Sequence, residues 1–515
     1  MRCTYCGEEN PNEAKFCQKC GAELPEAPAQ DDAKKNILKR LPKKAIIGVA
    51  VCIALVIVAA LAVKIIGSKP AYPANSVTTF FDYEEGQTLI MVNNKLLSTK
   101  IEGNAGTVVG DFSAKNFVAN TSEDELYLIS GDKMAKIAED VDSYAFSADG
   151  SAIAYVNNDM ALMLYSVSGG KATKIADDVE DELAISPDGK SLLYTIENDD
   201  YDIELFLYDS GKSASLGKEL SPVAVSNGAK YSYFVNEDDS FYVCQKGKEK
   251  VKLAENVQRG AMINKDGTEI IFFTDDGKSY VSVKGEEKMR LSNSEIMYEL
   301  KPYHTSRFCG GGNGSVAYAV NSGSLLNNTY VSNGGDVIKV NGKGESDKVL
   351  SDVEIELSDN GKTITYLKDD SIFRGKLSKP SEAKEIIEED ADYLVTSDSN
   401  SFYYLTDDFE LIFKKGNSNP KKISDDVYTS SAAVNRDGTL FFIEDYSSST
   451  GGTLYYTSGG KEKVKIADDV VSVRANANAV YYNTVIDSDT VSVFASDGGT
   501  KFTKVADISN ALSAY

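Results

Sequence analysis

Residues 186–195 read SPDGKSLLYT, and variants of this stretch recur through most of the 515-residue chain. Most copies contain a glycine preceded by Asp or Asn, which predicts a tight hairpin turn because such a turn needs positive φ. The apolar residues that follow predict a β-strand. The clearest other copies are SADGSAIAYV at 147–156, SNGAKYSYFV at 226–235, NKDGTEIIFF at 264–273, SDNGKTITYL at 358–367, SDSNSFYYLT at 397–406 and NRDGTLFFIE at 435–444.

The repeat has a regular period. Gly150, Gly189, Gly228 and Gly267 follow one another at intervals of 39 residues, and a second element such as KIADDV at 174–179 keeps the same rhythm. One period therefore predicts four short strands, which are KATKIADD, ELAISP, SLLYTIE and IELFLYDSG in the best copy. Strands such as LFLYD are apolar on both faces and need cover on both sides. Sheets stacked face to face around an axis provide that cover.

The period, the four strands and the pattern SPDGK-x-L-x-Y together resemble the TolB-like or WD40-like (PD40) β-propeller family over roughly residues 76–515. The resemblance implies an all-β fold of radially stacked four-stranded sheets. Degenerate copies lie near Gly86, Asn116, Gly314 and Asn478.

The repeats number about eleven, whereas a propeller typically has four to eight blades. We therefore expect two tandem propellers, with a first set of repeats over 76–300 and a second over 301–515. One propeller with a partial one appended is the alternative. The last residues, 500–515, are expected to form an orphan strand that could close a ring with an early blade.

A membrane span is predicted ahead of the repeats. Ala45–Val63 is nineteen residues without a charge, which at about 1.5 Å per residue nearly crosses a hydrocarbon core of roughly 30 Å. Lys64 can snorkel, so the predicted transmembrane helix is 45–66. Two alternatives are a cleavable signal peptide and a helix buried in a protein core. A signal peptide would begin close to the N-terminus, whereas 44 residues precede this segment, and a core helix would have polar residues on one face, which this segment lacks.

Charge predicts the orientation and excludes one class of partner. Six Lys/Arg residues within 34–44 precede the span, so the positive-inside rule predicts a cytoplasmic N-terminus and extracytoplasmic repeats in a bacterial cell membrane. Residues 1–70 carry 11 basic and 7 acidic residues, and the remainder carries 43 basic and 71 acidic residues. The excess of acidic residues after residue 70 gives that region a negative surface, which repels the phosphate backbone of nucleic acids. We therefore expect no nucleic-acid binding.

Four cysteines near the N-terminus predict a metal site. Cys3, Cys6, Cys17 and Cys20 form two Cys-x-x-Cys pairs, whose turns each aim two sulfurs at one point. A pair of disulfides is the alternative, but it requires an oxidising compartment, and the charge rule places this segment in the cytosol. We expect structural Zn²⁺, because four cysteines leave no open position for water.

The same stretch, with its patterns CTYCG and FCQKCG, resembles the short zinc-ribbon domains of many bacterial membrane proteins. The resemblance covers residues 1–24 and implies metal binding without naming a partner. Residues 25–44, with their prolines and lysines, are predicted to be a flexible basic tether.

Catalytic constellations are scarce in the sequence. It contains no G-x-S-x-G elbow, and its single histidine, His304, lies with Arg307 in the longest interruption of the repeat. These two residues are candidate ligand-binding groups, and a plain insertion between blades is the alternative. Cys244 and Cys309 are expected to be buried thiols, although a disulfide outside the cell is the other possibility.

These patterns predict a membrane-anchored, non-enzymatic binding, sensor or scaffold protein. Its propeller would recognise a protein, peptide or envelope glycan, and its zinc ribbon could contact a cytosolic protein. The alternative is a cell-envelope carbohydrate-active enzyme that uses acidic residues on the propeller.

Overall fold

The computed structural model divides the chain into two units, Met1–Lys69 and Pro70–Tyr515, and describes part of each. The predicted tether at 25–44 and the predicted transmembrane helix at 45–66 lie outside the described residues. Among the residues that are described, no helix is long and apolar enough to cross a membrane. The described residues are Cys3, Cys6, Glu8, Glu9, Phe16–Cys20, Ala22 and 73–509, the last without 107, 198–201, 302–307, 333, 344–345, 359, 389–390, 398–399, 477 and 488.

The larger part is built of β-strands that follow one another in groups of four, here called units 1 to 11. Unit 1 contains β1 (Val77–Asp82), β2 (Gln87–Val92), β3 (Lys95–Leu96) and β4 (Ile101–Glu102). Unit 2 contains β5 (Val109–Gly110), β6 (Asn116–Asn120), β7 (Leu126–Ser130) and β8 (Lys133–Ala138). Unit 3 contains β9 (Val141–Phe146), β10 (Ala152–Asn157), β11 (Leu162–Ser166) and β12 (Lys171–Ala176). Unit 4 contains β13 (Val179–Ile185), β14 (Ser191–Glu197), β15 (Ile203–Asp209) and β16 (Lys212–Lys218).

The next units follow the same plan, with one interruption. Unit 5 contains β17 (Leu220–Val225), β18 (Tyr231–Asn236), β19 (Phe241–Gln245) and β20 (Lys250–Ala254). Unit 6 contains β21 (Val257–Ile263), β22 (Glu269–Thr274), β23 (Ser279–Val283) and β24 (Met289–Ser292). Unit 7 begins with β25 (Ile296–Glu299), is interrupted by β26 (Phe308–Cys309) and β27 (Ala317–Val320), and continues with β28 (Thr329–Ser332), β29 (Val337–Val340) and β30 (Ser346–Leu350).

The last four units complete the series. Unit 8 contains β31 (Glu354–Leu357), β32 (Thr363–Lys368), β33 (Ser371–Lys376) and β34 (Lys384–Ile387). Unit 9 contains β35 (Tyr393–Ser397), β36 (Ser401–Leu405), β37 (Leu411–Lys415) and β38 (Lys421–Ser424). Units 10 and 11 contain β39 (Ala433–Val434), β40 (Thr439–Ser447), β41 (Gly451–Ser458), β42 (Val464–Ala475), β43 (Val480–Val485), β44 (Thr490–Ser496) and β45 (Thr503–Ser509).

The sheets confirm an all-β, propeller-like repeat. Within the described residues they number ten, and in most of them four strands pair in antiparallel order along the chain. The long strand β42 ends unit 10 and begins unit 11, which joins those two units into one seven-stranded sheet. The predicted division into sets at 76–300 and 301–515 stays a prediction.

In six of the seven quoted copies a buried Ser or Asn side chain holds the predicted hairpin turn, at positions 147, 186, 226, 264, 358 and 435. In SPDGKSLLYT the Ser186 hydroxyl accepts hydrogen bonds from the backbone N–H groups of Lys190 and Ser191, at 3.1 and 3.0 Å. Gly189 has a φ of 68°, as the turn requires. In the copy NKDGTEIIFF, Asn264 takes the place of the serine, and its side-chain oxygen accepts hydrogen bonds from the backbone N–H groups of residues 268 and 269.

Consecutive turns also bond to one another. The N–H of Asp149 donates to the carbonyl of Pro187 at 2.9 Å, and the N–H of Asp188 donates to the side-chain oxygen of Asn227 at 3.0 Å. The N–H of Asn227 in turn donates to the carbonyl of Asp266 at 3.0 Å. Each of these bonds joins residues about one period apart. The turns of units 3 to 6 are therefore hydrogen-bonded in series, which holds neighbouring units against each other.

Neighbouring sheets pack face to face, as predicted from the strands that are apolar on both sides. Phe241 of unit 5 and Phe272 of unit 6 are both fully buried, and their ring centroids are 4.6 Å apart. Burying one such side chain contributes roughly 1.5–3 kcal/mol to folding. Each sheet thus depends on the sheets on both of its sides for cover.

The recurring KIADDV element connects one unit to the next. Asp178 adopts a left-handed φ of 57° and turns the chain from the last strand of unit 3 into the first strand of unit 4. The next residue, Val179, is buried, and its N–H donates to the carbonyl of Met160 at 2.9 Å. The element is therefore the linker between units.

The interruption of unit 7 runs between the first strands of units 2 to 6. Strand β27 pairs in parallel with β21, and the N–H of Gly311 donates to the carbonyl of Phe146 at 2.9 Å. The N–H of Leu183 donates to the carbonyl of Gly314 at 2.8 Å. The cavity left beside this segment is only about 20 Å³, so the chain itself fills the space. We call residues 308–320 the inserted segment.

The last unit packs against the first. Phe80 of β1 packs with the buried residues of unit 11, and the Ser76 hydroxyl donates to the Asn476 side chain at 2.8 Å. Strand β45 was expected to be an orphan, but it pairs with β44, and only its end reaches unit 1, where the N–H of Tyr83 donates to the carbonyl of Ser509. Residues 510–515 lie outside the described residues.

Close backbone approach at the inserted segment generates a prediction. A Cβ on Gly314 would lie 2.7 Å from the backbone oxygen of Asp181, so we expect Gly314→Ala to lower the midpoint of thermal unfolding. Gly106→Ala is the matched control, because a Cβ there would meet its nearest atom at 3.8 Å. Calorimetry of both variants checks this, and equal midpoints would contradict the described path of the segment.

Candidate functional site

The four cysteines of the N-terminal part converge on one point. The Sγ atoms of Cys3 and Cys20 are 3.7 Å apart, and those of Cys6 and Cys17 are 3.5 Å apart. All four sulfurs lie within 4.8 Å of one another. Cys3 and Cys17 are buried, whereas Cys6 and Cys20 are exposed.

The two knuckles are built alike. The N–H of Cys3 donates to the carbonyl of Glu8, and the N–H of Cys17 donates to the carbonyl of Ala22, both at 2.8 Å. Each bond joins the first cysteine of its pair to the residue five positions later in the chain. The repeated geometry presents two sulfurs from each turn to the same centre.

These distances fit a tetrahedral metal. Zinc–sulfur bonds of about 2.3 Å place neighbouring sulfurs of a tetrahedron roughly 3.8 Å apart. The observed separations of 3.5 and 3.7 Å are close to that edge and far from a disulfide bond of about 2.05 Å. The four cysteines are therefore positioned to bind a metal, in a manner consistent with zinc.

A comparison with protein families agrees with this geometry. Residues 2–24 match the family model described as a zinc-ribbon domain. The match confirms a zinc ribbon at the N-terminus and covers only that part of the chain.

The other predicted ligand-binding residues are not placed by the structure. His304 and Arg307 lie outside the described residues. No disulfide bond joins Cys244 and Cys309. Cys309 is buried, as expected, whereas Cys244 is only half-buried.

A second candidate group of residues was not predicted from the sequence. The first strands of units 7, 8 and 9 carry Tyr298, Glu354, Glu356 and Tyr393, which we call the Glu–Tyr cluster. Tyr298 and Tyr393 are 40% and 41% exposed, which is high for such large rings. By contrast, the first strands of units 3 to 5 present Phe146, Leu183 and Val223 to the inserted segment.

The two glutamates of this cluster hold their protons unusually tightly. Burial raises the pKa of Glu356 to about 8, and the neighbouring Glu354 adds to the shift. Burial likewise raises the pKa of Glu354 to about 7, although a backbone N–H at Leu394 opposes the shift. No basic side chain among the described residues contributes to either shift.

The tyrosines share this environment. Burial raises the pKa of Tyr298, with Glu356 as a second cause. Burial also raises the pKa of Tyr393, to which Glu354 and Glu356 both contribute. The four side chains are thus close enough to act on one another. The signal in the sequence was the pair of carboxyls in EIEL at 354–357, where other first strands read AVS or AIS.

Comparisons with whole proteins add little. No protein with curated annotation matches the chain by sequence. Similar solved structures include the tricorn protease at 11% identity, covering 85% of this chain and 58% of that chain with a TM-score of 0.30. Putative TolB from Agrobacterium tumefaciens is 15% identical over 47% of this chain and 92% of that chain, with a TM-score of 0.31.

A eukaryotic initiation factor is 12% identical over 68% of this chain and 97% of that chain, with a TM-score of 0.35. Scores this low carry no argument about function, and the chain spans little more than half of the tricorn protease.

The cysteine geometry generates a prediction about metal content. We expect the purified full chain to hold about one zinc ion, and Cys17→Ser to lose most of it, because three thiolates with one hydroxyl bind zinc more weakly. Cys244→Ser is the matched control and is expected to keep the metal. Elemental analysis of the three proteins checks this, and equal zinc in Cys17→Ser and the control would show that the cluster is not the site.

Proposed function

We propose that the protein is a membrane-anchored, non-enzymatic binding or scaffold protein. A structural zinc ribbon on the cytosolic side, a single membrane pass at 45–66 and an extracytoplasmic β-propeller region make up the proposed arrangement. The propeller region recognises a protein, peptide or envelope glycan, either as one closed series or as two sets at 76–300 and 301–515.

The Glu–Tyr cluster is the observation that carries this proposal. Exposed tyrosine rings beside carboxyls provide both apolar contact and hydrogen bonding, which are the properties of recognition surfaces. They occur on the first strands, whereas the equivalent strands of units 3 to 5 are covered by the inserted segment. The anchor and its orientation are supported by the uncharged run and by the flanking lysines.

An enzyme acting on envelope polysaccharides is the second candidate. The raised pKa values of Glu354 and Glu356 favour it, because a glycosidase needs a carboxyl that remains protonated near neutral pH. The positions of the two carboxyls argue against it. They are two residues apart on one strand and face the same side, whereas the catalytic pair of a glycosidase flanks the scissile bond. Binding is therefore the better-supported function.

Site-specific crosslinking in intact cells tests the proposal. A photoreactive residue at Tyr393 is expected to capture a defined extracytoplasmic partner, because the ring is exposed within the cluster. The matched control places the photoreactive residue at Tyr83 of unit 1, which is 45% exposed. This position is expected to capture no defined partner.

Three outcomes would count against the proposal. Identical products from both positions would indicate random contact, and turnover of envelope polysaccharides by the purified chain would favour the enzyme. Protease added to intact cells should remove the repeats and spare the zinc ribbon. The reverse pattern would contradict the orientation.

A further inference from the structure

We infer that the Glu–Tyr cluster binds a cationic side chain presented by a basic segment of a partner protein. This inference rests on the proposed binding function and specifies the ligand of the same surface. It is built from three observations on the first strands of units 7, 8 and 9, which concern an unsatisfied carboxyl, the spacing of the two glutamates and the exposed tyrosine rings.

The first observation is an unsatisfied carboxyl. Glu356 makes no hydrogen bond or ion pair with any described residue, although its surroundings desolvate it strongly. Glu354 accepts one backbone hydrogen bond, at Leu394. A desolvated carboxyl without a partner is costly for a folded protein, and a cation that pairs with it would recover that cost.

The second observation is the spacing of the two glutamates. Residues i and i+2 of a strand face the same side and are about 6.6 Å apart. An ammonium or guanidinium group that bonds both carboxylates at about 2.8 Å spans most of that distance, and rotation of the carboxyls covers the rest. One basic side chain is therefore the right size for the pair.

The third observation is the tyrosine rings on either side. Tyr298 and Tyr393 belong to the neighbouring first strands, and both rings are substantially exposed. A cation near the face of a tyrosine ring is attracted by about 0.5–2 kcal/mol, with the larger values at desolvated sites. Carboxylates together with open aromatic rings are a combination that selects organic cations over neutral sugars.

The remaining surface favours the same class of partner. From residue 71 to the end the chain has 71 acidic and 43 basic residues, so its field attracts basic segments and speeds their encounter. A free metal ion is a poorer occupant, because Ca²⁺ prefers six to eight oxygen ligands. A basic peptide segment needs only the two carboxylates and the rings.

Binding is expected to depend on pH. The groups that face Glu356 are Glu354 on its own strand, Tyr298 on β25 and Tyr393 on β35, and Asp392 lies close to Glu354. The carboxyls must ionise to pair with a cation, whereas lysine remains charged to about pH 10. Affinity should therefore rise between about pH 6 and about pH 9.

Fluorescence anisotropy with a labelled penta-lysine peptide tests the inference on the purified full chain. The double variant Glu354→Gln/Glu356→Gln is expected to bind at least about tenfold more weakly at about pH 9 and to lose the rise with pH. The control Glu385→Gln/Glu388→Gln removes the same charge from exposed positions at the end of unit 8 and should bind within about twofold of the natural chain. The fully acetylated peptide should not bind.

Folding of the site variant can be checked separately. Because folding raises the pKa values of both glutamates, their ionisation opposes folding as pH rises from about 4.5 through about 8. Glutamine removes that ionisation, so the site variant should unfold at an equal or higher temperature than the natural chain at about pH 9.

Two results would overturn the inference. Equal losses in the site variant and the control would show that the peptide responds only to overall charge. Displacement of the peptide by a neutral oligosaccharide of N-acetylglucosamine at a similar concentration would show that the cluster recognises glycans. Neither result would affect a partner captured by crosslinking at Tyr393, so the failure of this inference is distinct from failure of the proposed function.

Discussion

A buried side-chain oxygen that accepts one or two backbone N–H groups of its own turn is the interaction on which the repeated structure depends. Ser147, Ser186, Ser226 and Ser358 are completely buried, and each bonds at least one N–H on the far side of its turn. Leaving such a group unsatisfied would cost about 1–3 kcal/mol. The residue thus allows a polar turn to lie inside the stack of sheets.

The same turns connect the units along the series. Because a turn is held in place by its own serine or asparagine, its outer N–H groups are free to bond the next turn, as Asp149 does with Pro187. The apolar faces then meet with both sides covered, and unit 11 closes against unit 1 through Phe80. Stability therefore comes from contacts between neighbours, as in other repeat proteins.

The sequence predicted these features where the physics is local. The period, the turns and the two-faced apolar strands follow from residues within one repeat, and the four cysteines predict their own geometry. The path of the inserted segment could not be predicted, because it depends on Gly311 and Gly314 contacting strands more than a hundred residues away. The sequence also did not predict that β42 is shared by units 10 and 11, because the repeat pattern is the same there as at the other junctions between units.

The Glu–Tyr cluster shows where sequence reasoning reached its limit. EIEL at 354–357 looks like an ordinary half-exposed strand, and acidic residues are common throughout the repeats. What distinguishes Glu356 is its desolvation and the rings contributed by neighbouring units, and these arise only when the first strands are brought together. The zinc ribbon needed no such context, because its four ligands lie within eighteen residues.

Hydrogen exchange of the turn amides tests most directly whether the buried acceptor maintains the repeat. In Ser186→Ala, mass spectrometry of the peptide spanning residues 183–195 should show exchange at least about fivefold faster than in the natural chain, since a lost buried bond costs about 1–3 kcal/mol. Ser168→Ala, at an exposed position in unit 3, should leave this peptide unchanged. Equal protection in both variants would contradict the central role given to the turn.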